Sequence, residues 1–292
     1  MSTSWGDVSL LTLPALPELR FVAVSAERCG MEGPRMCYLE AGDAAAPPTV
    51  LLHGIGSNAT GWRLVIEGLK LRSRVIAWNA PGYYLSEGLL ADAPRIEQYA
   101  DALACFLDAL QIETAAIAGS SFGGLIGIVF AARHPARVKR LAVFGAARGT
   151  GHLPDEERMR RLAARESLVQ ERGGMGLAEA RWRDLLGPHP TDLAVALAQD
   201  ILRATHRRGF IQSVRASSAA DATRFAVSVR SPTLVVVGTE DRVNPPEVSR
   251  AIARAISGAQ LVTLEGVGHL SKLEAPDRVV ALLGEFFGTK QA

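Results

Sequence analysis

Short runs of β-branched and apolar residues recur along the first half of the chain, each closed by glycine, proline or asparagine. Between them lie stretches whose apolar positions repeat every three to four residues. The runs predict strands at residues 19–25, 35–41, 49–53, 74–79, 115–119 and 140–144, and the helical spacing predicts helices at 61–70, 96–110 and 122–133. Past residue 148 the strand-like runs stop. Charged residues there crowd onto helical periods, as in Glu156-Glu157-Arg158-Met159-Arg160-Arg161-Leu162, which predicts three or four helices up to residue 220. Strand and helix patterns resume at 232–238, 246–256, 260–264 and 272–287. Such alternation builds a mostly parallel sheet with helices on both faces. The expected fold is therefore α/β with an eight-stranded, mostly parallel sheet. Residues 1–147 and 221–292 form one core domain, and 148–220 form a helical cap inserted after the sixth strand.

With 292 residues the chain is long enough to bury a large core, and 48% hydrophobic against 21% charged residues is ordinary globular usage. The formal net charge of +2 is too small to supply the field on which nucleic-acid binding rests. Neither nucleic acid nor an anionic membrane is expected as a partner. Residues 114–132 run without a charge for the length of a membrane span, but Gly119, Gly123 and Gly124 interrupt them and a strand-turn-helix accounts for them better. The first twenty residues lack a basic leader pattern and are broken by Pro14 and Pro17, so a cytoplasmic protein is expected. Cys29, Cys37 and Cys105 form no CxxC pair, and no histidine cluster has ligand spacing, so neither a zinc site nor a disulfide framework is expected. Cys29 and Cys37 could face each other across a hairpin, but the reading adopted is reduced, half-buried thiols.

The sharpest chemical signal is Gly119-Ser120-Ser121-Phe122-Gly123, a Gly-x-Ser-x-Gly string after an apolar strand and before an apolar helix. A serine on such a turn is held in a strained backbone conformation, and the small residues on either side let the turn approach its neighbours closely. The helix behind it favours developing negative charge. A serine hydroxyl needs a base. Of the six histidines, His134 sits at a helix end, His152, His189 and His206 lie in the helical insertion, and His53 precedes Gly54 in a turn. His269, in Gly266-Val267-Gly268-His269-Leu270, follows the last strand and would emerge at the same edge of the sheet as Ser121. Asp241 follows the strand before it and is the expected partner of the imidazole, with Glu240 as the competing carboxylate.

The order Ser121, Asp241, His269 and the motif resemble the α/β-hydrolase superfamily over most of the chain. The resemblance extends to His53-Gly54-Ile55-Gly56-Ser57-Asn58, Ala80-Pro81-Gly82 with Ser86, and Leu273-Glu274-Ala275-Pro276. It implies an oxyanion hole from the backbone of Phe122 and Ile55, with Gly56 as the alternative donor. The chain departs from the family in carrying Asn79 at the end of the fourth strand and Tyr84 two residues after Gly82. A serine nucleophile points to esters, lactones or amides. The branch that cleaves carbon–carbon bonds in ring-fission products follows its histidine with tryptophan, whereas His269-Leu270-Ser271 looks more like enol-lactonases and small-ester hydrolases. Hydrolysis of a small carboxylic ester or lactone through an acyl-enzyme is expected, without a cofactor, in a monomer or homodimer. Carbon–carbon or amide cleavage is the alternative chemistry, and a non-catalytic ligand receptor is the alternative class.

Gly54-x-Gly56-x-x-Ala59 also matches a dinucleotide-binding fingerprint, but that reading needs an acid closing the next strand, where Asn79 stands. Residues expected to shape the substrate pocket are Gly56, Trp182, Phe210, Val243 and Leu270, with Met175 on the same helical period. The insertion holds 12 arginines against 9 acids, which allows one arginine to grip a substrate carboxylate, although a solvated helix face is the commoner use of such charge.

Overall fold

The computed structural model describes residues 13–288. Eight strands form one sheet: β1 Glu18–Ala23, β2 Arg35–Ala41, β3 Pro48–Leu52, β4 Arg74–Trp78, β5 Ala115–Ser120, β6 Val138–Phe144, β7 Thr233–Gly238 and β8 Gln260–Leu264. They lie in the order β1-β2-β4-β3-β5-β6-β7-β8. β1 and β2 pair antiparallel, as do β2 and β4, and every remaining pair is parallel. The inner parallel strands are largely buried and read as continuous apolar runs, such as Thr233–Gly238, whereas β8 at the far edge is mostly exposed. β1, at the sheet edge, is half exposed and reads as alternation.

The helices are α1 Ala26–Cys29, α2 Arg63–Leu69, α3 Ile96–Ala109, α4 Phe122–Arg133, α5 Asp155–Leu185, α6 Asp192–Arg203, α7 Arg207–Ala219, α8 Ala222–Ala226, α9 Pro246–Ala255, α10 Ser271–Glu274 and α11 Pro276–Phe287. One face of the sheet packs Val50, Leu52 and Ile117 against Tyr99, Leu103 and Phe106 of α3, Leu125 and Val129 of α4, and Ile252 of α9. The other packs Leu51, Ala118 and Val236 against Trp62, Val65 and Ile66 at α2 and Val279, Leu283 and Phe286 of α11. Alternate residues of one strand thus feed opposite cores, as the period of two requires.

Helices α5–α8 lie between β6 and β7: α5–α7 fall within residues 148–220, where the charge-rich stretch predicts three or four helices, and α8 lies just past it against the sheet domain's core. α5 is broken at Gly173 (φ 60, ψ −161), one of two consecutive glycines. A small apolar core of their own, Val169, Leu177, Leu202, Phe210 and Val214, includes contact with Ile55 of the sheet domain. No helix among the described residues is long and apolar enough to cross a membrane, and residues 114–132 are β5 and α4.

The expectation of reduced thiols is corrected. Cys29 on α1 and Cys105 on α3 are joined as a disulfide with their Cα atoms 6.3 Å apart, and Cys37 remains free and buried on β2. The pair is separated by 76 residues, so the hairpin that draws attention to Cys29 and Cys37 is not the contact that α1 makes. Cys37 is instead held between Asn79 Nδ2 and Ser86 Oγ, which donate to its sulfur at 3.3 and 3.5 Å.

Candidate active site

Ser121 stands between β5 and α4 with φ 55 and ψ −116, a conformation that a non-glycine residue adopts only under strain. The turn is fixed from both sides: Ser121 N–H donates to Phe144 O at 2.9 Å, and Ala147 N–H donates to Ser121 O at 3.0 Å. Its glycines are required by close approach. A β-carbon on Gly119 would stand 2.3 Å from Gly123 O, and one on Gly123 would stand 2.3 Å from Leu52 O. Phe122 opens α4, so its N–H has no partner within the helix and lies where the helix favours negative charge.

The loop after β3 approaches the same serine. A β-carbon on Gly54 would sit 3.5 Å from Ser121 Oγ, which brings the backbone of residues 54–56 beside the hydroxyl. Gly56 turns at φ 73. His53 holds this loop and is not a base: Ala80 N–H donates to its Nε2 at 3.1 Å, which leaves Nδ1–H to donate to Gly54 O at 2.9 Å. Burial lowers its pKa to about 4, so it is neutral at physiological pH.

Across the cavity His269 is buried, and its Nδ1 lies 2.8 Å from Asp241 Oδ2. An ionised carboxylate only accepts, so Nδ1 carries the proton and Nε2 of the neutral ring is left with its lone pair. Asp241 Oδ1 accepts from the backbone N–H groups of Val243 and Asn244, both at 2.9 Å. Glu240 has no part in this contact. His269 N–H and Leu270 N–H both donate to Leu185 O at the end of α5, at 3.0 and 3.1 Å, so the insertion braces the histidine's own loop.

Gly145 lies against the pair at φ 49, where a β-carbon would stand 2.7 Å from Asp241 Oδ2 and 3.2 Å from His269 Nδ1. Gly145→Ala is therefore expected to displace the carboxylate from the imidazole and lower kcat/KM about 100-fold with the fold retained. Steady-state kinetics beside a thermal melt check this. Activity within threefold of the parent would show that the pair tolerates the displacement.

Ser121 and His269 line one cavity of about 770 Å³ roofed by α5, α6 and α7. Ile55, Gly56, Phe122, Phe210, Val243 and Leu270 line it. Trp182 does not. It packs between the two apolar clusters of the insertion with the Arg183 guanidinium 4.3 Å over its ring, and Met175 is 58% exposed. Helical period marks a residue's face but not which neighbour that face meets, and the break at Gly173 changes the facing after it. Tyr84 has φ 54, the left-handed conformation that favours glycine, and lines a separate surface hollow. Asn79 accepts from Ala59 N–H at 2.8 Å, so it serves the loop after β3 and offers no acid for a ribose.

Arg165 and Lys272 of the cavity lining were not singled out in the sequence, and His152 was placed only in the helical insertion. His152 lines the cavity from the segment before α5. Arg165 of α5, itself exposed, reaches it from the roof. Lys272, 1% exposed, lines it from the floor, with a pKa lowered to about 8 by burial. The only signal for Lys272 was a charge between the apolar Leu270 and Leu273. No group of three or more His, Cys, Asp or Glu able to hold a metal occurs among the described residues.

A parallel sheet bearing a serine on a strained strand-to-helix turn, opposite a buried carboxylate-histidine pair, defines the class. The chain belongs to the alpha/beta hydrolase fold family, whose model matches residues 47–276, and it is a hydrolase. It is 31% identical to the 2-hydroxymuconate semialdehyde hydrolase of Pseudomonas sp. (strain CF600) over 265 residues, covering 84% of this chain and 88% of that protein. The enol-lactonase of Burkholderia xenovorans LB400 superposes with a TM-score of 0.79 at 26% identity, covering 91% of this chain and 99% of that one. An esterase of Exiguobacterium antarcticum shares the fold, with a TM-score of 0.80 at 20% identity over 92% and 98% of the two chains.

Proposed function

We propose that the protein cleaves a small carboxylic ester or lactone by two-step acyl transfer on Ser121. The observation that carries this reading is the buried His269–Asp241 pair facing the cavity that Ser121 enters from its strained turn. His269 Nε2 takes the proton from Ser121 Oγ as the oxygen attacks the carbonyl carbon. The tetrahedral oxyanion is received by the N–H groups of Phe122 and Ile55, and donors of this kind are each worth about 3 kcal/mol of barrier. His269 then protonates the leaving alkoxide and deprotonates the water that releases the acid. Asp241 keeps the proton on Nδ1 and stabilises the imidazolium between the two transfers. Residues 148–220 act as the cap that sets which acyl and leaving groups fit, over a core of residues 1–147 and 221–292.

The 31% identity to a semialdehyde hydrolase favours a second reading, hydrolysis of a carbon–carbon bond in a ring-fission dienoate at the same site. Leu270 after the histidine supports the ester or lactone reading, by resemblance to the enol-lactonases. Intact mass after exposure to a small fluorophosphonate, followed by steady-state assays on a phenyl ester and a ring-fission dienoate, tests both. One adduct on Ser121 and turnover of the ester are expected. Turnover of the dienoate alone would replace the first reading with the second, and absence of any adduct would overturn the nucleophile.

A further inference from the structure

Lys272 takes no part in the acyl transfer, yet it is buried at the wall of the same cavity. α10 carries it three residues past His269. Its Nζ donates to Ser120 Oγ at 3.1 Å and lies 5.2 Å from the centre of the Trp62 ring. The stem passes Gly61, where a β-carbon would stand 3.4 Å from Lys272 Cε. Ser120 is the residue immediately before the nucleophile, so the ammonium is fixed behind the turn that presents Ser121.

No carboxylate among the described residues forms an ion pair with it. Glu274 on the same helix acts to raise its pKa but directs Oε2 to the N–H groups of Gly187 and Gly268, at 2.6 and 3.1 Å. His53, facing it from the end of β3, is neutral. One of three ammonium donors is on Ser120 and one side lies on an indole face. An ammonium buried without a counter-charge is strongly unfavourable. Placed at a cavity wall, it becomes a receptor for an anion that arrives with the ligand.

We propose, on the serine-hydrolase reading above, that Lys272 is a specificity-determining residue: its ammonium receives an anionic oxygen of the substrate, a carboxylate or enolate, and makes an acid-bearing ester or lactone preferred over its neutral analogue. Arg165 of α5, which forms no ion pair among the described residues, lines the same cavity and is the competing receptor.

The test compares kcat/KM for phenyl acetate with that for monophenyl succinate, whose acyl chain carries a free carboxylate. It uses the parent, Lys272→Gln, Lys272→Arg and Arg165→Gln, with labelling of Ser121 by an uncharged fluorophosphonate run on each. The ratio of the two substrates isolates charge from any general loss when Ser120 is left with a different donor. At pH 7 the parent is expected to favour the acid ester by about tenfold or more. Lys272→Gln brings the ratio close to one, and Lys272→Arg keeps it.

A pH arm uses the unaltered protein. Lys272 loses its proton as pH rises through about 8, so the parent's preference fades between pH 7 and 9 while that of Lys272→Arg persists. The titratable groups that act on Lys272 or feel its charge in that arm are Glu274 and His53, and His269 and Arg165 line the same cavity. An unchanged ratio in Lys272→Gln with labelling intact would overturn the proposal, as would loss of the ratio in Arg165→Gln alone. Failure of the parent itself to label would instead overturn the reading beneath it.

Discussion

Ser121→Ala is expected to lower kcat by at least about 10⁴-fold and to abolish the fluorophosphonate adduct, with the thermal midpoint little changed. The magnitude follows from what is left. The 54–57 loop and the helix behind Phe122 would still bind a carbonyl and polarise it, so residual turnover reflects oxyanion stabilisation of direct water attack. The stability expectation follows from the backbone. Ser121 is already at φ 55, and alanine there carries the same β-carbon, so the strain of the turn is unaltered. The hydrogen bonds that fix the turn, to Phe144 O and from Ala147 N–H, are made by backbone and survive the change. Loss of activity together with loss of the fold would mean that the hydroxyl is structural. Retained turnover would move the nucleophile elsewhere, and Ser120, held by Lys272, would be the first place to look.

Much of this arrangement was legible before any coordinates because of where the chemistry falls along the chain. Ser121 and Asp241 each follow a buried parallel strand written as an apolar run, and His269 follows the loop after β8, a mostly exposed edge strand recognised by its short β-branched pattern. The edge at which their side chains converge then follows from the parallel direction alone. The insertion was legible as helical because its charges keep helical period. What it buries was not, since Trp182 and Phe210 present the same signal in sequence and differ only in which neighbour each meets: Phe210 lines the cavity and Trp182 packs inside the insertion. Cys29 and Cys105 were illegible for another reason. Their meeting depends on how α1 lies on α3, and nothing local to either cysteine encodes that contact. Lys272 was not singled out at all, because a lysine is ordinarily a surface residue.

Function and stability pull against each other at the same few positions. The turn at Ser121 is strained, Gly145 leaves room for a carboxylate-imidazole contact, and Lys272 places a charge in the interior with no direct ion pair among the described residues. None of these improves the packing of the sheet. Each makes sense when a ligand is added, which is the signature expected of a site preorganised for chemistry.

Asp241→Asn is expected to lower kcat by about 10³ to 10⁴-fold while leaving the fold and the pocket intact, and the reason lies in how the carboxylate is anchored. Oδ1 accepts two backbone N–H groups, from Val243 and Asn244. An asparagine in this socket must present its carbonyl oxygen to those donors, because its NH₂ cannot accept from them. The NH₂ then takes the place of Oδ2, 2.8 Å from His269 Nδ1, and donates to it. The neutral imidazole must now accept at Nδ1 and carry its proton on Nε2, so the lone pair that would receive the Ser121 proton is absent. The imidazolium that forms during acyl transfer also loses the counter-charge in contact with it. Slow turnover, slow fluorophosphonate labelling and an unchanged melting temperature would together establish that the tautomer, rather than the architecture, is what Asp241 supplies. Labelling at the parent's rate would show that His269 needs no such orientation and that Ser121 is activated by another route.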